Sequence, residues 1–159
     1  YQNRIIKIDS ETDEVVDALV VGIQPTSLVM DCNNKLWTVT DGGYEGSPYG
    51  YEAPSLYRID AETFTIEKQF KFKFGDAPSE VQLNGTKDKL YWINDDIWEM
   101  DVTAERVPVR PFLPYNETIY YGLTVCPRTG DVYVADAIDY VQQGMIYRYS
   151  KDGKLIDEF

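Results

Sequence analysis

A short pattern of apolar and charged residues recurs along the chain and constrains its fold more than any other feature. The segment IIKID at 5–9 returns as LYRID at 56–60, as IWEMD at 97–101 and, more loosely, as IYRYS at 146–150. Asp60 lies 51 residues after Asp9, and Asp101 lies 41 residues after Asp60. A second segment keeps the same register, since LWTV at 36–39 matches LYWI at 90–93 and VYVA at 132–135. A period of about 40 to 50 residues indicates a protein built from stacked repeats.

Each repeat is predicted to form four short strands, which we label a to d in the order of one unit. The apolar and β-branched runs are about four to eight residues long, and turn residues separate them. Four antiparallel strands in a repeat of this length are typical of one blade of a β-propeller. A β-sandwich is the main alternative for short strands, but it does not require a repeated sequence. The predicted fold class is therefore all-β, a β-propeller of four-stranded antiparallel blades.

The repeat divides the chain into half a blade followed by three complete ones. Strands c and d alone account for residues 1–22, and further blades follow at 23–74, 75–113 and 114–159. Propellers close with about four to eight blades. We therefore expect residues 1–159 to be a partial β-propeller domain of about three and a half blades. It would be a fragment of a longer ring or would complete its ring with other chain material.

Charge and composition exclude several functions. The formal net charge is −12 at pH 7, so phosphate backbones and anionic membrane surfaces should repel the chain. The sequence has no histidine, which removes histidine-based triads and histidine-ligated zinc. No apolar run approaches the length of a membrane span. We expect no nucleic-acid partner and no membrane span in this chain.

The loops after strands b and d lie on one face of an antiparallel meander, and they carry the unusual residues. Seven of the 13 tyrosines fall in three of these loops, at 41–54, 114–121 and 136–144. Tyrosine rings can stack on a planar or carbohydrate-like ligand, and loops on a rigid scaffold concentrate binding residues. The candidate ligand-binding residues are Asp41, Tyr44, Tyr49, Tyr51, Asn94, Asp95, Tyr115, Tyr120, Tyr121, Asp136, Asp139 and Tyr140.

Structural roles compete with these interpretations. The long loops can instead pack on themselves, with tyrosines covering a glycine-rich backbone. The three tryptophans, Trp37, Trp92 and Trp98, lie within predicted strands and are expected in the core between blades. The aspartate that recurs once per blade is expected to accept hydrogen bonds in a turn. The run at 94–96 offers oxygen ligands for Ca²⁺, and a tight polar turn is the alternative.

Several of these segments together resemble a known family. The Gly-x-x-Pro pattern at 22–25, the strand after it, LWTV at 36–39 and LYRIDAET at 56–63 resemble the YVTN/YncE-like seven-bladed propellers. The segment 136–159 is similar to the C-terminal part of surface lipoprotein propellers of Bacteroidetes, the DUF5074 kind. The resemblance covers nearly the whole chain, although the chain lacks the first half of the family's ring and a lipobox cysteine at its start.

The resemblance implies a location at the bacterial cell surface, as an outer-membrane lipoprotein, or in the periplasm. Because some members of the group capture corrinoids such as vitamin B12, it also implies a corrinoid ligand and an outer-membrane transporter as partner. We expect a non-enzymatic ligand-binding protein, and we assign no catalytic residue, no metal ligand and no cofactor. One alternative is a protein–protein interaction scaffold with a flat, wide aromatic face. The other is a metal-assisted hydrolase or lyase, with carboxylates converging on the central channel.

Overall fold

The computed structural model describes residues 3–115, 117 and 119–159, and that part of the chain folds into thirteen β-strands. Nowhere in these ranges is there a helix of the length and apolar character that crossing a membrane requires. The strands form four antiparallel sheets, and within each sheet they follow one another in sequence order. This all-β meander confirms the predicted fold class.

The strand bounds are as follows. The first sheet contains β1 (Arg4–Ile8) and β2 (Val15–Val20). The second contains β3 (Pro25–Met30), β4 (Lys35–Thr40), β5 (Ser55–Asp60) and β6 (Thr65–Lys71). The third contains β7 (Ser79–Leu83), β8 (Lys89–Asn94) and β9 (Asp96–Asp101). The fourth contains β10 (Tyr120–Val125), β11 (Val132–Asp136), β12 (Met145–Tyr149) and β13 (Leu155–Glu158).

The sheets stack face to face in chain order, with one apolar cluster between each consecutive pair. Ile5 and Ile59 belong to the first cluster, Trp37 and Trp92 to the second, and the third is formed by the third and fourth sheets. Both Trp37 and Trp92 are fully buried, which confirms their predicted place between blades. The inner strand β7 contacts both β3 and β10, so the first strands of these sheets surround a common axis. This is how the blades of a propeller are arranged.

The third sheet lacks a regular fourth strand, which differs from the prediction of four strands in every complete blade. Prolines at 108 and 111 lie where that strand was expected, and a proline cannot donate a backbone N–H to a strand ladder. The segment instead touches β9 at one isolated bridge between Ile97 and Leu113. Val102 and Leu113 are nevertheless buried, so the segment still covers the sheet without completing its ladder.

Two of the three repeated aspartates, Asp9 and Asp60, cap turns with their side chains, as the sequence indicated, whereas at Asp101 the Ala104 N–H donates to the backbone carbonyl. Asp9 Oδ1 accepts hydrogen bonds from the backbone N–H groups of Glu11 and Thr12. Asp60 Oδ1 accepts the equivalent pair, from Glu62 at 3.0 Å and Thr63 at 2.7 Å. Because an Asx turn reverses the chain in about three residues, this position connects the third and fourth strands of a blade tightly.

Candidate functional site

All twelve candidate residues lie on one side of the stacked sheets. The connections on that side follow the second or fourth strand of each antiparallel unit, and they include 41–54, 72–78, Asp95 and 137–144. The long connection between β9 and β10 starts on the opposite side, where the Val102 N–H donates to the Asp88 carbonyl, and reaches this side at Tyr115, whose N–H donates to Asp96. Each candidate residue belongs to one of these connections or to the strand end beside it.

An open cleft of about 770 Å³ lies on this side between the third and fourth sheets, and we call it the tyrosine cleft. Its lining residues come from several connections and from adjacent strand ends: Ala77, Ser79, Ile93, Asp95, Asp96, Tyr115, Ile119, Tyr120 and Tyr140. Small-molecule sites generally enclose about 300 to 1,000 Å³ and combine apolar walls with a few polar groups. The tyrosine cleft has the size and the mixture of side chains of such a site.

Two β-bulges shape the mouth of the tyrosine cleft. The register between β7 and β8 shifts after Ser79, and the register between β10 and β11 shifts after Tyr120. A bulge adds a residue to one strand and re-aims the side chains beside it. Glu80, just after Ser79, has a φ of 54°, which shows how strongly the backbone turns there. Ser79 and Tyr120 therefore leave the regular alternation of their strands where they line the cleft.

Asp136 holds two of the surrounding loops together. Its side chain is 6% exposed, and its Oδ1 accepts hydrogen bonds from the backbone N–H of Ile119 at 2.9 Å and of Ile138 at 2.8 Å. Buried carboxylates need such partners because desolvation is costly. The structure thus places Asp136 beneath the cleft, where it positions the cleft's loops instead of lining it.

Asp139 organises the tip of the same loop. Its Oδ2 accepts a hydrogen bond from the Gln142 side chain, and its Oδ1 accepts backbone N–H groups of Gln142 and Val141. These donors, the Gln142 side chain first, lower the pKa of Asp139 to about 2. The Asp139 carboxylate therefore remains ionised, and keeps this capping role, at any pH well above 2.

Two tyrosines of the cleft have contacts that hold their rings in place. The rings of Tyr121 and Tyr140 meet edge to face, with centroids 5.8 Å apart. The Tyr120 hydroxyl donates to the Pro114 carbonyl at 3.4 Å. Burial raises the pKa of Tyr149 to about 12, with a smaller contribution from Tyr120, so Tyr149, which packs against the same apolar cluster as Tyr120, stays neutral. Such contacts restrict the rotamers of the rings before any ligand arrives.

Several residues around the tyrosine cleft have a positive φ, as do residues in turns elsewhere, such as Asp13, Asn34 and Phe64. Asp95, Ile138 and Tyr140 have φ values of 54°, 54° and 62°, in the left-handed region. For a β-branched residue such as Ile138 this conformation is a real outlier, and it costs on the order of 1–3 kcal/mol. Strain of this kind persists where the surrounding structure imposes it, and it occurs often at binding sites.

We expect Ile138→Asn to raise the free energy of unfolding by about 1 kcal/mol, because asparagine tolerates positive φ far better than isoleucine. Urea denaturation followed by circular dichroism measures the change. Ile156→Asn is the matched control, since Ile156 lies in the regular strand β13 and is 49% exposed. A loss of stability in Ile138→Asn as large as that in the control would contradict the strain argument.

The structure brings together only part of the predicted set. Of the twelve candidate residues, the tyrosine cleft contains Asp95, Tyr115, Tyr120 and Tyr140, with Tyr121 packed against its edge. The four candidates of the first long loop, Asp41, Tyr44, Tyr49 and Tyr51, do not line it. Within that loop, Asp41 Oδ1 accepts the backbone N–H of Gly43 at 2.8 Å, and the Tyr51 ring meets Phe74 edge to face at 5.2 Å.

The run at 94–96 behaves as a polar turn. Asn94 Oδ1 accepts the backbone N–H of Ala77 at 3.2 Å, and Asp96 Oδ1 accepts that of Tyr115. Each side chain therefore anchors a different neighbouring loop. Among the residues that the structure describes, no three Cys, Asp or Glu side chains are grouped as ligands of a metal ion would be.

Sequence reasoning missed several residues of the cleft. Asp96, Ser79, Ile93 and Ile119 line it but were not among the candidates. Asp96 had a usable signal, because it belongs to the same polar run as Asp95. Ser79 and Ile119 had none, since only the bulge and the packing of two sheets bring them to the cleft.

Comparison with known proteins identifies the fold but does not assign the chain to a family. No protein-family model matches the chain, and no curated protein sequence is significantly similar to it. Among solved structures, hydrazine synthase of Kuenenia stuttgartiensis is similar over 98% of this chain and 42% of that chain, with a TM-score of 0.74 and 16% identity. The Dos1 propeller is similar over 99% of this chain and 39% of that one, with a TM-score of 0.66 and 13% identity.

The fold is that of a β-propeller. A gluconolactonase from Xanthomonas campestris supports the same fold, with a TM-score of 0.65 and 14% identity over 96% of this chain and 54% of that chain. The chain spans about half, or less, of the length of these solved structures. At such low identity the similarity shows the propeller fold alone, and the narrower YVTN/YncE-like and DUF5074 resemblance is not confirmed.

The expectation of a non-enzymatic protein is contradicted by these comparisons. The similar structures include the gluconolactonase and a luciferin-regenerating enzyme, the latter at 21% identity and a TM-score of 0.62, covering 98% of this chain and 55% of that one. That expectation rested on the lack of a local catalytic motif in the sequence, which favoured a binding protein. The same blades serve enzymes, because function depends on the loops and not on the fold.

Proposed function

We propose that this partial β-propeller binds a small molecule in the tyrosine cleft. One observation carries the proposal: three tyrosines and two adjacent aspartates, from three connections and the strand ends beside them, converge on one open cleft of about 770 Å³. A ligand with a flat face would pack on the rings of Tyr115, Tyr120 and Tyr140. Its hydroxyl or amide groups would bond to Asp95 and Asp96. Rigid aromatic rings supply contact area at a small cost in conformational entropy.

The loops around the cleft are arranged in advance of binding. Asp136 ties the segment at Ile119 to the loop at Ile138, and Asp139 closes the turn before Val141 and Gln142. Preorganised groups lose less entropy when a ligand binds, and affinity rises accordingly. The hydrogen bonds of these two aspartates therefore support a binding role for the cleft.

The ligand we propose to test first is a corrinoid. A corrinoid has a planar ring with amide groups at its edge, which suits an arrangement of tyrosines beside carboxylates. The resemblance to corrinoid-capturing surface lipoproteins adds a location at the bacterial cell surface or in the periplasm, and a partner in an outer-membrane transporter. The lining of the cleft supports only the ligand, and the location and the partner are proposed from the resemblance alone.

Titration of the chain with cyanocobalamin by calorimetry tests the proposal. We expect saturable binding that Tyr120→Ala or Tyr140→Ala weakens about 30-fold, which corresponds to about 2 kcal/mol for losing one central aromatic contact. Tyr44→Ala is the matched control, since Tyr44 is an exposed loop tyrosine that does not line the cleft. A titration without saturable heat up to about 1 mM ligand would rule out corrinoid capture, because the binding free energy would then be weaker than about 4 kcal/mol.

A second candidate is hydrolysis of a lactone in the same cleft. It is favoured by the similarity to the gluconolactonase and by the adjacent carboxylates of Asp95 and Asp96. A carboxylate can activate water as a general base. Proton release from glucono-δ-lactone, measured with and without added divalent cations, tests this activity. Catalysis that Asp95→Asn abolishes would support it, and a rate equal to the uncatalysed one under every condition would reject it.

A further inference from the structure

A second cleft lies on the other side of the turn at 94–96, between the second and third sheets. It encloses about 370 Å³, and its walls include Phe72, Trp92 and Trp98. Val107 and Pro108 also line it, and they belong to the irregular segment that replaces the fourth strand of the third sheet. We call it the tryptophan cleft. Because a regular fourth strand is absent there, the edge of the aromatic cluster remains open.

One buried donor at this cleft has no hydrogen-bond partner among the residues that the structure describes. The Trp37 indole N–H donates to Asp31 at 2.8 Å, and the Trp98 indole N–H donates to the Asn94 carbonyl at 3.0 Å. The Trp92 indole N–H is also buried, yet no hydrogen-bond acceptor meets it within the described ranges. Buried polar groups nearly always find an acceptor, so an exception at the wall of a cleft points to a ligand.

Charges of both signs surround the aromatic walls. Lys71 and Lys73 line the cleft, and in the described part of the chain neither forms an ion pair. Asp76 and Asp95 line it as well, and Asp76 Oδ2 accepts the backbone N–H of Lys73 at 2.9 Å. In a chain with a net charge of −12, a simple anion would be repelled at long range. A neutral molecule carrying one charge of each sign would not.

We propose that the tryptophan cleft binds an aromatic amino acid in its zwitterionic form, beyond the function proposed for the tyrosine cleft. The ring packs against Phe72 and Trp98. The carboxylate accepts the Trp92 indole N–H and pairs with Lys71 and Lys73, while the ammonium group faces the aspartates. Since Trp98 stacks on Trp92 at 6.3 Å between ring centroids and is only half-buried, a small shift of Trp98 gives the ligand access to that N–H.

Nuclear magnetic resonance of the ¹⁵N-labelled chain tests the proposal, because the three tryptophans give three indole N–H signals. L-phenylalanine is the probe. We expect a saturable downfield shift of the Trp92 signal, as its N–H gains an acceptor, and little movement of the Trp37 signal. N-acetyl-L-phenylalanine lacks the ammonium group and 2-phenylethylamine lacks the carboxylate, so each is expected to bind at least tenfold more weakly.

Variants at surface lysines test the proposal without altering the buried aromatic cluster. Lys71→Gln combined with Lys73→Gln is expected to weaken phenylalanine binding at least tenfold, whereas Lys87→Gln, an exposed turn lysine that does not line the cleft, leaves it unchanged. Tyr140→Ala also leaves it unchanged, which separates this site from the tyrosine cleft. A Trp92 signal that does not move up to roughly 10 mM phenylalanine, or equal binding of all three probes, would overturn the proposal.

Discussion

Asp31→Ala is expected to lower the free energy of unfolding by about 3 kcal/mol. The Asp31 side chain is 4% exposed, and its Oδ1 accepts the backbone N–H groups of Asn33 at 2.8 Å and Lys35 at 3.0 Å. Its Oδ2 accepts the indole N–H of Trp37, which is fully buried. Alanine removes both acceptor oxygens and with them all three hydrogen bonds. A buried donor left unpaired costs about 1–3 kcal/mol, and the turn amides add to that loss.

Urea denaturation measured by tryptophan fluorescence gives this change directly. Asn33→Ala is the matched control, since Asn33 is exposed in the same turn. The control is expected to stay within about 0.5 kcal/mol of the parent, as surface substitutions usually do. Equal losses of unfolding free energy in the two variants would mean that the hydrogen bonds accepted by Asp31 add no stability to the turn.

Gly85→Ala is expected to destabilise the protein by about 3 kcal/mol for a different reason. A Cβ at this position would lie 1.8 Å from the carbonyl oxygen and 2.6 Å from the carbonyl carbon of Pro127. Those atoms are backbone, so the clash cannot be relieved by rotating a side chain. Overpacking of this kind costs about 1–3 kcal/mol and occasionally more, because the turns of two blades must separate. Thermal unfolding should show a lower midpoint, by roughly 10 °C for a chain of this size.

Gly122→Ala provides the comparison for that prediction. Its added Cβ would be 3.4 Å from the Ala135 side chain, which is an ordinary van der Waals contact. Neither glycine has a positive φ, so the two variants differ in the contact and not in backbone freedom. We expect Gly122→Ala to unfold within a few degrees of the parent. A Gly85→Ala variant as stable as this control would show that the two turns are not held as closely as the structure places them.

The sequence predicted the fold well because its strand pattern is periodic. Each blade repeats the same strand pattern, and Asp9 and Asp60 mark the same turn in two blades. The prediction failed at 102–113, where Pro108 and Pro111 interrupt a strand that the repeat required. The repeat predicts the same four strands in every blade. The missing strand can be recognised only from the prolines, which disfavour a strand at that position.

The candidate site was predicted less completely. An antiparallel meander places all twelve residues on one side, but the strand order does not determine which loops lie next to each other. Tyr120 and Tyr140 line the same cleft, whereas Tyr49 and Tyr51 lie in the loop 41–54, which does not line it. Distances between loops depend on how neighbouring sheets pack, and no pattern within a single blade records that packing.

What the sequence determined by itself was the repeating unit, its strand order and the side of the molecule on which the tyrosines lie. These features follow from local periodicity and turn chemistry, which act over a few residues. Only the tertiary structure decided that Asp136 supports the loops, that Ser79 and Ile119 enter the tyrosine cleft, and that the Trp92 N–H meets no acceptor within the described residues. Those outcomes arise where separate sheets meet, because burial and hydrogen bonding there join residues that are distant in sequence.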